Sequence, residues 1–316
     1  MTGTEQANLI VDKLLSKNKI DLRRRKDELR KQVLFFSPAY RDFILKIVSS
    51  NSLKIKHRYK SGSYLSLNDG NKKFSKRQPA TIKTDINDRE TLPHELGHAV
   101  DLWFGQKDSL TNNVIIEDDK TLNDIFTEEF NEKHETLYHI VMDEYKSIIN
   151  SNINDKAYDI FMNNIGMYIE LLDYPSMKDR KLLQEALYEN GFVEVYYQII
   201  TKNCSSILNK KYSPILDALS SKHDLTALDL RHHTLGYYRS NNNHPVEEFF
   251  ANVFAAKVTA NNTQFDNLIK YLPKSFSAFE KLFVIFYDHI QNNKRFNDVK
   301  LKQREETYDD LSTVSE

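Results

Sequence analysis

Three observations predict a mainly helical α+β fold. Apolar residues recur at helical spacing over most of the 316 residues. One interval, from about 54 to 86, changes to short alternating segments bounded by turn residues. Directly after it stands His94-Glu95-Leu96-Gly97-His98, preceded by Thr91-Leu92-Pro93, a helix start with proline in the first turn.

The chain divides into five parts. Residues 1–50 read as a helical N-terminal lobe: Ile10, Val11, Leu14 and Leu15, then Val33, Leu34, Phe43, Ile44 and Ile47 fall at helical spacing, with breaks near Lys19 and Ser37-Pro38. Residues 51–110 hold a small sheet and the HELGH helix, with Tyr64-Leu65-Ser66-Leu67, the turn Asn68-Asp69-Gly70, and Ala80-Thr81-Ile82-Lys83-Thr84 as its parts. Residues 111–230 are helical in pattern, notably Leu122 to Ile149, Ala157 to Leu172, Lys181 to Tyr188 and Val193 to Ile200. Within 231–295 a polar, glycine-containing loop at 231–245 precedes an apolar helix from about Val246 to Val258 and another from about Ser275 to Gln291. The polar tail 296–316 is expected to be disordered.

Composition narrows the function. With 40% hydrophobic and 28% charged residues the chain has the make-up of a soluble globular protein. No apolar run reaches the roughly 20 residues of a membrane span, and MTGTEQANLIVDKLL lacks a secretory pattern. The expected location is therefore the cytoplasm, or a target cell reached through delivery by another protein. The single cysteine, Cys204, rules out an internal disulfide and a cysteine-rich metal site, so a metal must be held by His and carboxylates. The net charge of −1 conceals 21 Lys and Arg against 10 Asp and Glu in residues 1–90, and 23 against 35 in the rest. The Arg23-Arg24-Arg25-Lys26 run reads as a solvated helix face, with contact to nucleic acid or an anionic membrane face as the lesser alternative, so nucleic acid is not an expected partner.

Two histidines four apart on a helix are separated by about 400°, so their rings lie on one face, one turn apart, and can chelate one cation. Glu95 adjoins that face, where a carboxylate can take a proton from water and deliver it to a leaving amine. His134-Glu135-Thr136-Leu137-Tyr138-His139 looks alike, but its histidines are five apart, about 140° around a helix. They are expected to serve as surface and core residues.

A catalytic zinc takes a third protein ligand and keeps one position open. No His follows His98 within reach. The best candidate region is His244-Pro245-Val246-Glu247-Glu248-Phe249-Phe250-Ala251-Asn252, where an acidic pair opens an apolar helix and is costly to bury unless paired or metal-bound.

HELGHAVD followed by EEFFANVFAA resembles the glutamate-liganded zincins, the gluzincins, and most closely the anthrax lethal factor catalytic domain and the Pro-Pro endopeptidases. It is also similar to metallopeptidase domains of phage head proteins and polymorphic toxins, which share features with Ile215-Leu216-Asp217-Ala218-Leu219, His232-His233 and Gly236-Tyr237-Tyr238-Arg239. The likeness covers roughly residues 60–105 and 213–260. It implies a zincin-like fold, one Zn2+ held by His94, His98 and Glu248, with Glu95 as general base and Glu247 as a polar neighbour. It also implies a tyrosine that stabilises the oxyanion, Tyr238 or Tyr237; the family's spacing falls on Asn241, so the loop is longer here. Asn252, where the family usually has an acidic residue, and Asp101 are candidates to orient the zinc-bound rings, or simple surface or capping residues.

In zincins the substrate commonly pairs as an added strand at the sheet edge, and Ala80–Thr84 is the candidate edge. The 150 residues from His98 to Glu248 exceed the interval of lethal-factor-type domains. On that resemblance 111–230 is a helical insertion beside the cleft, serving as a recognition lobe, a partner platform or filler. The function expected is a zinc metalloendopeptidase acting on a protein or peptide substrate, a phage- or toxin-associated effector with an immunity or other partner protein. The alternatives are an intracellular regulatory peptidase cutting a repressor-like protein, and a non-catalytic phage-associated module with a structural zinc. An intact Glu95 weighs against the last, because a structural site needs no base.

Overall fold

The computed structural model describes residues 3–16, 26–50, 54–57, 64–67, 80–84, 91–103, 109–152, 154–173, 176–199, 204–223, 225 and 235–292. Arg23, Arg24, Arg25, the Asn68-Asp69-Gly70 turn, His232, His233 and the tail 296–316 lie outside them.

The N-terminal helices are α1 (Gly3–Ser16), α2 (Lys26–Phe35) and α3 (Pro38–Ser50). Pro38 suits a first helical turn because its missing N–H would have no partner there anyway. Ile10, Val11, Leu14, Val33, Phe43, Ile44 and Ile47 are buried as their spacing predicts and Leu15 is partly so, whereas Leu34 is exposed.

Strands β1 (Lys54–His57), β2 (Tyr64–Leu67) and β3 (Ala80–Thr84) form a sheet of order β1-β3-β2. β1 runs parallel to β3, with Ile55 opposite Ile82, and β2 runs antiparallel to it, with Leu65 opposite the same Ile82. This corrects the expected edge. Ala80–Thr84 is the central strand, because β1 takes up one row of its backbone hydrogen-bonding groups and β2 the other. Alternating apolarity identifies a strand but carries no information about its neighbours.

α4 (Thr91–Trp103) carries HELGH and lies against β3 and β2. A short α5 (Leu110–Asn113) leads into a hairpin of β4 (Ile115–Glu117) and β5 (Lys120–Thr121). Its turn places Asp118 and Asp119 at φ 45° and 59°, the left-handed region that two-residue hairpins require. α6 (Leu122–Asn152) begins where Asp124 accepts from the Thr121 backbone N–H, at 2.9 Å.

α7 (Asp155–Asp173), α8 (Met177–Glu189) and α9 (Phe192–Ile199) pack mainly on one another, with Phe161 stacked on Phe192 at 5.5 Å and Tyr168 near Tyr196 at 4.8 Å. α10 (Ser205–Leu219) instead packs on the helices that carry the site. The 111–230 stretch is thus of two kinds, an outer helical cluster and an inner helix beside the core.

α11 (Leu235–Ser240) lies inside the expected 231–245 loop. α12 (His244–Thr259) is the central helix: Val246, Glu248 to Phe254, Ala256 and Val258 are all buried, against α4, α10, α6 and its successor α13 (Asn262–Tyr271). A helix apolar on every side has to be wrapped by others. Within its buried run, Glu248 and Asn252 are the polar residues, and burying a carboxylate or amide is unfavourable unless its hydrogen-bonding needs are met. α14 (Pro273–Asn292) closes the core against α3, where Phe43 meets Phe283, Phe286 and Tyr287 with centroids 4.9 to 5.5 Å apart. Among the described residues no helix is long and apolar enough to cross a membrane.

Candidate metal centre

Four residues apart on α4, the rings of His94 and His98 stand edge-on with centroids 4.7 Å apart and Nε2 atoms 3.1 Å apart. α12 crosses this helix very closely. A Cβ on Gly97 would sit 2.7 Å from Ala251 Cα and 2.9 Å from its carbonyl oxygen. The glycine of HELGH therefore serves the contact with α12.

That close crossing brings Glu248 under the two rings. Its Oε2 lies 3.2 Å from His94 Nε2 and 3.4 Å from His98 Nε2. The three ligand atoms form a nearly equilateral triangle of 3.1 to 3.4 Å. Tetrahedral zinc, with bonds of about 2.0–2.1 Å, holds its ligand atoms about 3.3–3.4 Å apart. The donor set also suits zinc: two imidazoles and a carboxylate, with one side left open. The Glu248 side chain is 2% exposed, while those of His94 and His98 are 17% and 16% exposed. Glu95, next on α4, is buried beside them.

The carboxylates around the triangle favour positive charge there. Burial alone would lower the His98 pKa, but Glu248, with help from Glu95 and Asp101, outweighs it and raises the ring to about 9. Without a metal, this cluster retains a proton.

A second layer fixes the histidine tautomer. Asn252 Oδ1 lies 3.1 Å from His94 Nδ1. The Asn252 amide nitrogen donates to Asp217 Oδ2 at 2.6 Å and to the Glu248 carbonyl at 3.0 Å. Neither partner can donate to it, so the amide orientation is set and Oδ1 must be the atom facing the ring. His94 therefore carries its proton on Nδ1 and presents a bare Nε2 to the triangle. Ser213 Oγ donates to the same Oδ1 at 3.1 Å. The amide at 252 becomes intelligible through Asp217 on α10, which accepts from it at 2.6 Å. Two facing carboxylates at 2.6 Å would repel.

The two tyrosines have different surroundings. Tyr238 is 3% exposed and donates to Asp217 Oδ1 at 3.0 Å, facing this inner network instead of the triangle. Burial first, then Asp217, raises its pKa far above the usual phenol range. Tyr237, half-buried, donates to Glu248 Oε1 at 2.8 Å. Burial and then Glu248 raise it strongly, so its hydroxyl keeps its proton. His244 stacks on the Tyr237 ring at 4.1 Å, with its Nδ1 2.8 Å from the Tyr237 carbonyl oxygen. His244 thus positions the tyrosine and stands outside the triangle.

Glu247 also lies outside the triangle; burial raises its pKa. Asp101 accepts from the Thr111 backbone N–H at 2.9 Å and from the Thr111 hydroxyl at 3.2 Å, tying the end of α4 to α5. Burial raises it to about 7. Its contacts are those of a structural tether.

Sequence reasoning gave no role to Asp217 or Ser213. An acidic residue inside Ile215-Leu216-Asp217-Ala218-Leu219 was the available signal, since a carboxylate in an apolar helix requires a partner. No protein-family model, no curated protein and no solved structure matches the chain.

Proposed function

We propose that this chain is a zinc-dependent endopeptidase of gluzincin type, with a zincin-like fold and one Zn2+ held by His94, His98 and Glu248. The observation that carries the proposal is the triangle of two Nε2 atoms and one Oε2 at 3.1 to 3.4 Å, on a helix that also bears Glu95. Three protein ligands with a partly exposed side suit a catalytic site better than a closed structural one. The ion, when bound, would supply Lewis acidity toward a scissile carbonyl and would make water more acidic.

The remaining chemistry belongs to the chain. Glu95 accepts a proton from the attacking water and returns it to the leaving amine. Tyr237, whose one hydroxyl proton rests on Glu248 Oε1, turns that proton from the carboxylate toward the negative charge that develops on the carbonyl oxygen. Asn252 and Asp217 hold His94 in the tautomer that leaves Nε2 bare. Among the described strands, β2 is the sheet edge that lies against α4, and an extended peptide would add there. A phage- or toxin-associated role rests on the sequence resemblance alone.

The test is metal content together with cleavage of a peptide library by the wild type and Glu95→Gln. Both proteins should carry one zinc at this centre, and only the wild type should cut. Cleavage at a wild-type rate by purified Glu95→Gln would sink the mechanism, and a wild type that cuts nothing in a diverse library would sink the activity.

A further inference from the structure

The HETLYH segment fails as a two-histidine chelate because His139 points away; it is exposed, while His134 is half-buried. The fold supplies a different second imidazole. His223 lies in the turn just past α10, where its backbone N–H donates to the Leu219 carbonyl at 2.8 Å. Its ring lies 5.7 Å from that of His134 on α6 and is stacked flat on Tyr138 at 4.1 Å and 15°. Glu135 completes the group, its Oε1 3.6 Å from His134 Nε2. One ligand atom from each of the three lies within 4.8 Å of the others.

One feature makes this more than a surface cluster. His134 Nδ1 and His223 Nε2 are both buried, and neither has a hydrogen-bond partner among the described residues. Buried polar nitrogens are normally satisfied, so an occupant, either water or an ion, is to be expected.

We propose that His134, Glu135 and His223 form a second metal site, for a divalent transition ion of the zinc class, that clamps the end of α10 to α6. Imidazole with carboxylate selects this class over calcium or magnesium, which prefer all-oxygen shells. The stack on Tyr138 presets His223, while the exposed Glu135 can swing in to close the shell. α10 is the helix that carries Ser213 and Asp217, so an ion here braces the layer behind His94. The site shares no ligand with the first centre and stands independently of the peptidase reading.

The test uses the full chain stripped of metal by chelation and titrated with Zn2+, reading bound zinc per chain and melting temperature. The wild type should take up two equivalents, with the second raising the melting temperature. His223→Ala and His134→Ala should each take up one, and His94→Ala should also take up one, at the other centre. Glu135→Gln, at an exposed position, guards against misfolding and should lose the second equivalent while keeping the fold. One equivalent in the wild type that disappears in His94→Ala would overturn the proposal, as would two equivalents retained by both folded His223→Ala and Glu135→Gln. A single equivalent lost in His223→Ala but kept in His94→Ala would support this site while refuting the first.

Discussion

Tyr237 donates to Oε1 of Glu248 at 2.8 Å, while Oε2 of the same carboxylate faces His94 Nε2 at 3.2 Å and His98 Nε2 at 3.4 Å. One carboxylate thus joins Tyr237 to the triangle of candidate ligand atoms, whereas the adjacent Tyr238 donates to Asp217 Oδ1 at 3.0 Å. Tyr237→Phe should slow the chemical step by about 100-fold or more while zinc is retained, the scale for losing one oxyanion donor. Tyr238→Phe should leave turnover nearly intact and cost about 1–3 kcal/mol in stability, because it removes a donor from buried Asp217. Steady-state kinetics and denaturant unfolding of the two variants should show opposite patterns, and a large rate loss in Tyr238→Phe alone would reverse the assignment.

The hydrogen bonds of Asn252 predict a charge swap. Asn252→Ala frees the His94 ring and should weaken zinc binding about 10- to 100-fold, measured by competition with a chelator. Asn252→Asp places a second carboxylate against Asp217 and should destabilise the fold. Combining it with Asp217→Asn restores one acid and one amide across the same contact, so the double variant should be more stable than Asn252→Asp alone. Equal stability of the two would show that the 2.6 Å contact has no bearing on the choice of amide at position 252.

Parts of this architecture were legible in the sequence because their determinants are local. α4 begins at Thr91, α6 at Leu122, and α12 and α14 fall within a few residues of the predicted bounds. Long apolar periodicity is a strong signal. His94, His98 and Glu95 were legible for the same reason, since one turn of helix fixes their relation. The order of the sheet was not, because hydrogen-bonding neighbours are chosen by the whole fold. α11 was hidden by its six residues, too few to show a period, and with it the choice between Tyr237 and Tyr238. Asp217 reaches the site from another helix, 35 residues before Asn252, a distance that no local pattern spans.

Gly97 offers a packing test. In an exposed helix, glycine to alanine gains about 1 kcal/mol of helix propensity. Here the added Cβ would stand 2.7 Å from a backbone atom, and overpacking of a tight contact costs about 1–3 kcal/mol. The overpacking should dominate, so Gly97→Ala should unfold at lower denaturant and lose zinc affinity as α12 is pushed away. Because the clash is with the Ala251 backbone, Ala251→Gly should fail to rescue it.

Glu248→Gln should lower zinc occupancy and activity together, since of the two adjacent glutamates it is Glu248 that faces both rings. Glu247→Gln should be mild, because burial already disfavours the charge at 247. Metal analysis of the two purified variants checks this, and loss of zinc in Glu247→Gln alone would overturn the choice of ligand.

Stability of the metal-free protein should depend on pH in a direction set by His98. Its folded pKa of about 9 lies above the ordinary histidine value of 6.5, so the folded state holds this proton more tightly than the unfolded chain does. The resulting stabilisation is fully present below about pH 6.5 and is lost as pH rises through about 9. Asp101 has the same sign over a lower window: raised from 3.8 to about 7, it also favours the protonated folded state and loses that advantage as pH rises through 7. In the carboxylate range Glu129 and Glu144, whose pKa values are lowered, act in the opposite direction, so the fall in apoprotein stability should be read by thermal melting above about pH 6.5, where His98 sets it. Zinc requires that ring neutral, so its apparent affinity should rise over the same upper range as the competing proton leaves. His98→Gln should remove the upper part of the stability fall. An apoprotein whose melting temperature climbs between pH 6.5 and 9 would show that the carboxylates around His98 do not hold a proton there.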